Sequence, residues 1–526
     1  MSVSVSCQKS VVGLIATTLL IVGGLFLYTT GSPTSLSGAE PSSPSAGPDG
    51  VVLTTPEMSA EITGALREIH EKMWKDLRPE DNAVVWLMVI YGDDALEPPL
   101  HDATLEILGI KSLPPSSPLF VPVLDFVNSL EDVPSSEAEL RAAELEERLL
   151  WAGGEPWNAE LNAHLKGYLE ANRDTLEMLT QASLRPRYFA PLLAPELPSR
   201  LMSASLVVER RLPFLGRMLA ARAIMRFDAG DFDGCLSDLM TGHRIANLLA
   251  YGSPFDVSVA KAQVIDALIF NAEKVIVESG KLTEDQIEKF RKALADLPPF
   301  PPIAQAADLG ERAILHQEIE LLQQDEDSRI GFFEDSHAKA TPASQAKALL
   351  AIDWKLAKEG ADDVQNQIVK ALATRDRSQQ NELFDQLDRD YSEWESSADL
   401  KSEQFTEEIK IDLKGLSRWV GKNMAMSLRP LYRQRRNAED RQLSRRTMIQ
   451  LALALEGWQR KEKSFPTQLD ELVPSQFSSI PLDACTDAPF VYRRVSDTEA
   501  TLMSLGTNQQ DDAGMNFNDD VIIRLK

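Results

Sequence analysis

The chain is expected to be mainly α: a multi-helix body of helical hairpins, closed by a small C-terminal α+β domain of about three antiparallel strands. Three observations carry this. Apolar residues recur at three- and four-residue spacing in the segments 56–78, 158–298 and 447–461, as one buried helix face requires. Helix-ending signals punctuate them, among them Pro79, Gly280 and Pro298-Pro299. Alternating, β-branched segments enter near the end of the chain, at 490–494, 501–505 and 521–525.

Composition sets the outer limits. The chain has 526 residues, 43% of them hydrophobic and 25% charged, an ordinary balance for a folded protein. That length suits roughly two to four domains. The formal charge of −26 argues against a nucleic-acid partner, since phosphate binding wants a basic surface, and against electrostatic attachment to anionic lipid. Six His and three Cys exclude a disulfide scaffold and a Cys/His zinc framework.

The elements follow in order. Residues 1–10 are expected as a cytoplasmic tail and the apolar run Val11–Tyr28 as a transmembrane anchor, its length close to the ~30 Å hydrocarbon thickness. Lys9 in front and no basic residue soon behind give a positive-inside orientation. The expectation is a single-pass protein of the inner (cytoplasmic) membrane, held by its N-terminal helix, with the bulk extracytoplasmic or periplasmic. A cleaved signal with a small-residue site at Ser37-Gly38-Ala39 competes with it. Residues 29–54, dense in Ser, Pro and Gly, form a flexible linker.

The helical domain spans 55–300. Asp81-Asn82 starts the helix AVVWLMVIYG, Ser136 opens the acidic helix EAELRAAELEERLLWAGG, and the chain turns at Gly230 between two helices. Thr283-Glu284-Asp285-Gln286 matches a capping box. The hairpin at Gly230 is near a tetratricopeptide unit in pattern, but no second copy appears at that period, so a generic antiparallel pair is the simpler reading. Residues 301–446 form an acidic extended helical region of long, partly exposed helices. The Arg-rich stretch 429–446 reads as a solvated face paired with the acid before it. Residues 447–526 form the α+β unit: a helix, a short helix in FPTQLDELVP capped by Thr467, and the three strands.

Motifs for chemistry are sparse. HExxH, GxSxG, P-loop and GxGxxG patterns are absent, and Ser344-Gln345-Ala346-Lys347 fits S-x-x-K without its companion elements. His316 and Glu320 stand four apart and read as a surface helix pair, while Asp93, Asp94 and His101 lie in a turn-rich loop. Cys235 and Cys485 read as buried free thiols rather than a bridge. The loop GTNQQDDAGMNFNDD (506–520) gathers Asn508, Asp511, Asp512, Asn516, Asn518, Asp519 and Asp520. So many carboxylates repel unless a cation joins them, and calcium takes six to eight such oxygens. A solvated acidic turn is the alternative.

Residues 447–526 resemble the C-terminal domain of the major pseudopilins of type II secretion systems. Pro466-Thr467-Gln468-Leu469, Pro481-Leu482-Asp483, Phe490-Val491-Tyr492, Ser504-Leu505-Gly506 and Asp519-Asp520 carry the likeness. The resemblance implies a calcium loop with the Leu505 carbonyl, Asn508, Asp511 or Asp512, and Asp519 as ligands. Ala484-Cys485 departs from the second Pro of that family's turn, and a prepilin cleavage signature is missing before Val11. The whole arrangement also resembles a group of uncharacterised membrane-anchored helical bacterial proteins, through Ala221-Arg222-Ala223, Gly230-Asp231 and Leu236-Ser237-Asp238-Leu239. That likeness implies no activity.

Taken together, the sequence points to a non-enzymatic interaction or structural protein with an unidentified protein partner and calcium as its possible ion. An exported hydrolase-like enzyme with a pocket in the helical body, and a secretion or surface-assembly component, are the alternatives.

Overall fold

The structure is a computed structural model and describes residues 60–96, 100–113, 119–130, 134, 136–193, 201–204, 207–326, 329, 352–401, 413–427, 429–511 and 520–526. The first helices are α1 (Ala60–Met73), α2 (Ala83–Tyr91), α3 (Ala138–Ala152) and α4 (Arg173–Ser183), with short helices His101–Ile107, Val123–Asn128 and Ala163–Ala171 between them. Asn82 starts α2 as expected: its side chain accepts the Val84 N–H at 3.1 Å, satisfying one orphan donor of the first turn. The helix is buried because its own sequence is apolar on nearly every face.

A three-helix layer follows: α5 (Val207–Asp228), α6 (Phe232–Gly252) and α7 (Asp256–Glu278), each packed on the other two. Gly230 takes φ +80° in the α5–α6 turn, a conformation that glycine adopts without a Cβ clash. Asp231 then caps α6 by accepting the Gly234 N–H at 2.9 Å. Next come α8 (Glu284–Ala295), the short helix Ile303–Ala306, a π turn at Ala307–Glu311, and α9 (Arg312–Gln324). The capping box on α8 forms as the sequence predicts, with Thr283 and Gln286 exchanging hydrogen bonds.

The acidic region is less solvated than expected. Helices α10 (Trp354–Ala373) and α12 (Leu413–Ser427) pack closely, with α11 (Arg377–Lys401) between them in sequence. A Cβ at Gly421 would lie 1.7 Å from the Ala357 carbonyl oxygen, so only glycine permits this approach. Ala357, Ala361, Val364, Ile368 and Val420 are buried, each large aliphatic side chain contributing about 1.5–3 kcal/mol.

The long helix α13 (Arg429–Glu462) runs through the expected boundary at 446/447 and packs on α7 and α8. Its Arg-rich half corrects the solvated-face expectation. Arg433 does meet the preceding acidic segment, at Asp385 and Asp388, but Arg435 and Arg446 reach into the body, to Asp256 and Asp266. The apolar spacing of 447–461 does mark a buried face, with Met448, Leu451 and Leu455 all buried, but in the Arg-rich half the inward stripe carries Glu439 and Gln442, also buried, which apolar spacing could not reveal.

The C-terminal unit has the predicted strands with small shifts. A two-residue pair, β1 (Leu482–Asp483) and β2 (Ala488–Pro489), precedes an antiparallel sheet β3 (Val491–Arg494), β4 (Ala500–Ser504) and β5 (Val521–Leu525), in the order β3-β4-β5. Leu502 stands opposite Ile523, and both are buried. The sheet rests on α7 and α13 through β5, where the Arg524 N–H donates to Glu278 at 2.9 Å. The short helix is a 3₁₀ turn at Leu469–Leu472 whose cap is Gln468, not Thr467; Thr467 instead donates to Glu471, which reaches back to bind it. Cys235 and Cys485 are buried free thiols.

The expected anchor at 11–28 and linker at 29–54 lie outside the described residues. Among the described residues no helix is long and apolar enough to cross a membrane. That finding stands against the transmembrane, signal-anchor and inner-membrane expectations as far as the described residues go. The helices with sufficient length bury their apolar stripes against each other and are studded with charge, as Arg210, Arg211 and Arg217 show in α5.

Candidate functional site

A cleft of about 310 Å³ opens where the C-terminal end of α3 meets α5 and α7. The local sequence builds it. Ala138, Ala142, Leu145, Leu149 and Ala152 form the buried stripe of α3. Leu140, Leu150 and Trp151 fall off that stripe and are exposed, Trp151 by 62%. Gly153 lets the chain end tightly on α5, since a Cβ there would sit 2.7 Å from that of Ala220. The floor is apolar, from Leu149, Ala220, Leu268 and Val275, while Arg217, Asn271, Lys274, Glu155 and Glu278 supply the polar lining. Lys274 Nζ is 3.9 Å from Glu278, whose carboxylate also holds β5. The volume lies at the small end of ligand pockets. An aromatic wall, an apolar floor and both signs of charge suit a peptide-like segment better than a small ion.

The other concentration of chemistry is buried. His243 on α6 places Nδ1 2.7 Å from Asp266 and Nε2 2.9 Å from Glu273, with all three side chains about 1% exposed. Burial alone would lower this imidazole; Glu273 and Asp266 overcome it and hold it up at about 9. Asp266 also receives Arg446 at 2.7 Å, and His243 and Arg446 keep it well below the usual carboxylate range against the effect of burial. Nearby, Arg222 and Arg226 clamp Asp238 at 2.6 and 3.0 Å. These groups spend their donors and acceptors on each other, and His243 has no face open to a substrate.

The residues singled out from sequence are dispersed. Asp93 and Asp94 are exposed on a 3₁₀ turn at Gly92–Ala95 and His101 starts the next short helix, rather than lying in a loop; His101 Nε2 is 3.9 Å from Asp93, and its Nδ1 is 2.8 Å from the neighbouring Asp102. His316 and Glu320 each reach across to α10, to Asp362 at 2.9 Å and Lys358 at 2.6 Å. Ser344 and Lys347 lie outside the described residues. Of the expected calcium ligands, Leu505, Asn508 and Asp511 are described, whereas Asp512 and Asp519 are not. Asn508 Oδ1 accepts the Gln510 N–H at 2.9 Å, and Asp511 meets Arg493 at 3.3 Å. Among the described residues no group of three His, Cys, Asp or Glu side chains converges as a metal site. Asp483, from the turn that carries the pseudopilin likeness, is buried and receives the hydroxyls of Ser444 and Ser504, tying β1 to α13 and β4.

Sequence reading missed the cleft and the ionic contacts behind α13. For the cleft a signal existed: a tryptophan off the buried stripe of an acidic helix, directly before Gly153-Gly154. For the ion pairs none did, since Arg446 and Asp266 are 180 residues apart. No protein-family model, curated protein or solved structure matches this chain.

Proposed function

We propose that this chain is a non-enzymatic interaction protein that docks a segment of a protein partner in the cleft beside Trp151. One observation carries the reading: a large aromatic side chain, 62% exposed, stands at the rim of a cleft with an apolar floor. Tryptophan is among the residues that concentrate binding energy at protein interfaces. The mixed charge of Arg217, Lys274, Glu155 and Glu278 suits a peptide backbone with polar side chains rather than a uniformly charged ligand. The buried histidine is consumed by ion pairs, so the enzyme alternative draws no support from it.

The test is selection of displayed peptides against the purified protein, followed by affinity measurement. Selected peptides should bind at least about tenfold more weakly to Trp151→Ala, a loss of ~1.4 kcal/mol, with no change in melting. Peptides that bind equally well to Trp151→Ala and to Lys274→Ala place recognition elsewhere and refute the proposal.

A further inference from the structure

Two buried clusters pin α13 to the body, and each raises the same question of proton count. In the first, both ring nitrogens of His243 face carboxylate oxygens, at 2.7 Å to Asp266 and 2.9 Å to Glu273. Each contact needs a proton, and a neutral imidazole brings one. The second must be added, and it makes the ring an imidazolium. Every element around the ring contributes: Asn247 from α6, Asp266 and Glu273 from α7, and from α13 Arg446, whose guanidinium binds both Asp266 and Asn247. Arg445, stacked over Phe270, adds a further cation that acts on Asp266.

The second cluster lies at the N-terminus of α7. The π turn Ala307–Glu311 inserts an extra residue into the helix, a device that recurs at functional positions. Glu311, which ends that turn, accepts the Asp256 N–H at 2.9 Å. Arg435 of α13 meets the Asp256 carboxylate at 3.2 Å. Tyr432 lies alongside, and the neighbouring Arg312 is engaged by Asp308 and Asp362 at 2.7 and 2.8 Å. Two carboxyls therefore share chiefly one guanidinium, an arrangement that favours keeping one of them neutral.

We propose that α13 is held by a proton-dependent clasp: the His243–Asp266–Glu273–Arg446 and Asp256–Glu311–Arg435 clusters each retain one buried proton, and α13 loosens from α6, α7 and the Glu311 turn as those protons leave above neutrality. The direction follows from linkage. His243 is raised from 6.5 to about 9, so its contribution is complete below pH 6.5 and is lost as pH rises through 9. Burial and Asp256 raise Glu311 from 4.5 to about 8, so the unfolded chain releases this proton first and stability again falls as pH rises from 4.5 to 8. Between pH 6 and 9 each cluster costs the folding equilibrium roughly a hundredfold.

The experiment is urea unfolding at pH 6, 7.5 and 9 on the full chain and on Glu273→Gln and Glu311→Gln. The first variant lets an amide donate to an unprotonated His243 nitrogen; the second keeps the acceptor for Asp256 while removing the titration. Each should recover most of one hundredfold fall. Slopes equal to that of the wild type in both variants overturn the clasp. Should the variants not fold, imidazole ¹⁵N shifts of the wild-type protein decide it: His243 protonated on both nitrogens at pH 8 supports the clasp, and a neutral ring there overturns it.

Discussion

Arg446 gives the sharpest test of what holds the long helix in place. Its guanidinium donates to Asp266 at 2.7 Å and to Asn247 at 3.0 Å, and its cationic carbon lies 5.7 Å from the Phe300 ring centroid. Arg446→Met keeps most of the stem but leaves Asp266, which is 1% exposed, without its guanidinium partner and with His243 and the neighbouring Arg445 as its cations. Breaking a buried pair from one side costs ~3–5 kcal/mol, because the remaining charge is desolvated without its partner. The exposed pair Arg493–Asp511 is the control; Arg493→Ala should cost ~0–1 kcal/mol. Urea unfolding followed by circular dichroism reads both. The double variant Arg446→Met with Asp266→Asn should be less destabilised than the sum of the singles by at least ~1 kcal/mol, since it also removes the carboxylate that lost its guanidinium. If Arg446→Met costs no more than the control, or the two changes add simply, the buried pair is not what secures α13.

Three further outcomes are expected. Gly421→Leu should separate α10 from α12 and lower the melting temperature, whereas Gly457→Ala, whose new Cβ meets Ile287 at an ordinary 3.6 Å, should be neutral or stabilising. Cys235 and Cys485 should stay unmodified by a thiol reagent in the native protein at pH 8 and react in urea, as peptide mapping would show; burial pushes Cys485 up to about 12 and Cys235 in the same direction. The calcium reading of the 505–520 loop requires a melting temperature that rises with calcium, falls with chelator, and responds to neither in Asp519→Ala; an unchanged melting curve leaves the acidic-turn reading.

The parts of this fold that were legible beforehand are those written in neighbouring residues. Asn82 and Thr283 cap their helices because each satisfies a backbone N–H two or three positions on, within reach of one side chain. The strands at 491–494, 500–504 and 521–525 follow from their own alternation. Thr467 shows the limit: its spacing suited a cap, yet Gln468 took the position. The Arg-rich stretch failed more completely. Charge spacing on a helix does not say which face turns inward, and a stripe of Glu439, Gln442 and Glu456 looks solvated until the layers that bury it are placed.

The sequence by itself determined the helical class, the order of the elements, their caps and the small terminal sheet, because turn chemistry and hydrophobic period act over a few residues. The tertiary structure decided which charges are buried and which surface is open. Asp256 and Asp266 meet Arg435 and Arg446 only after about 180 intervening residues have folded back, and Trp151 lies beside an apolar floor only because α5 and α7 supply it. Ion pairing and cleft formation depend on distances through space, and the cost of desolvating a charge has no meaning until the surrounding layers are in place.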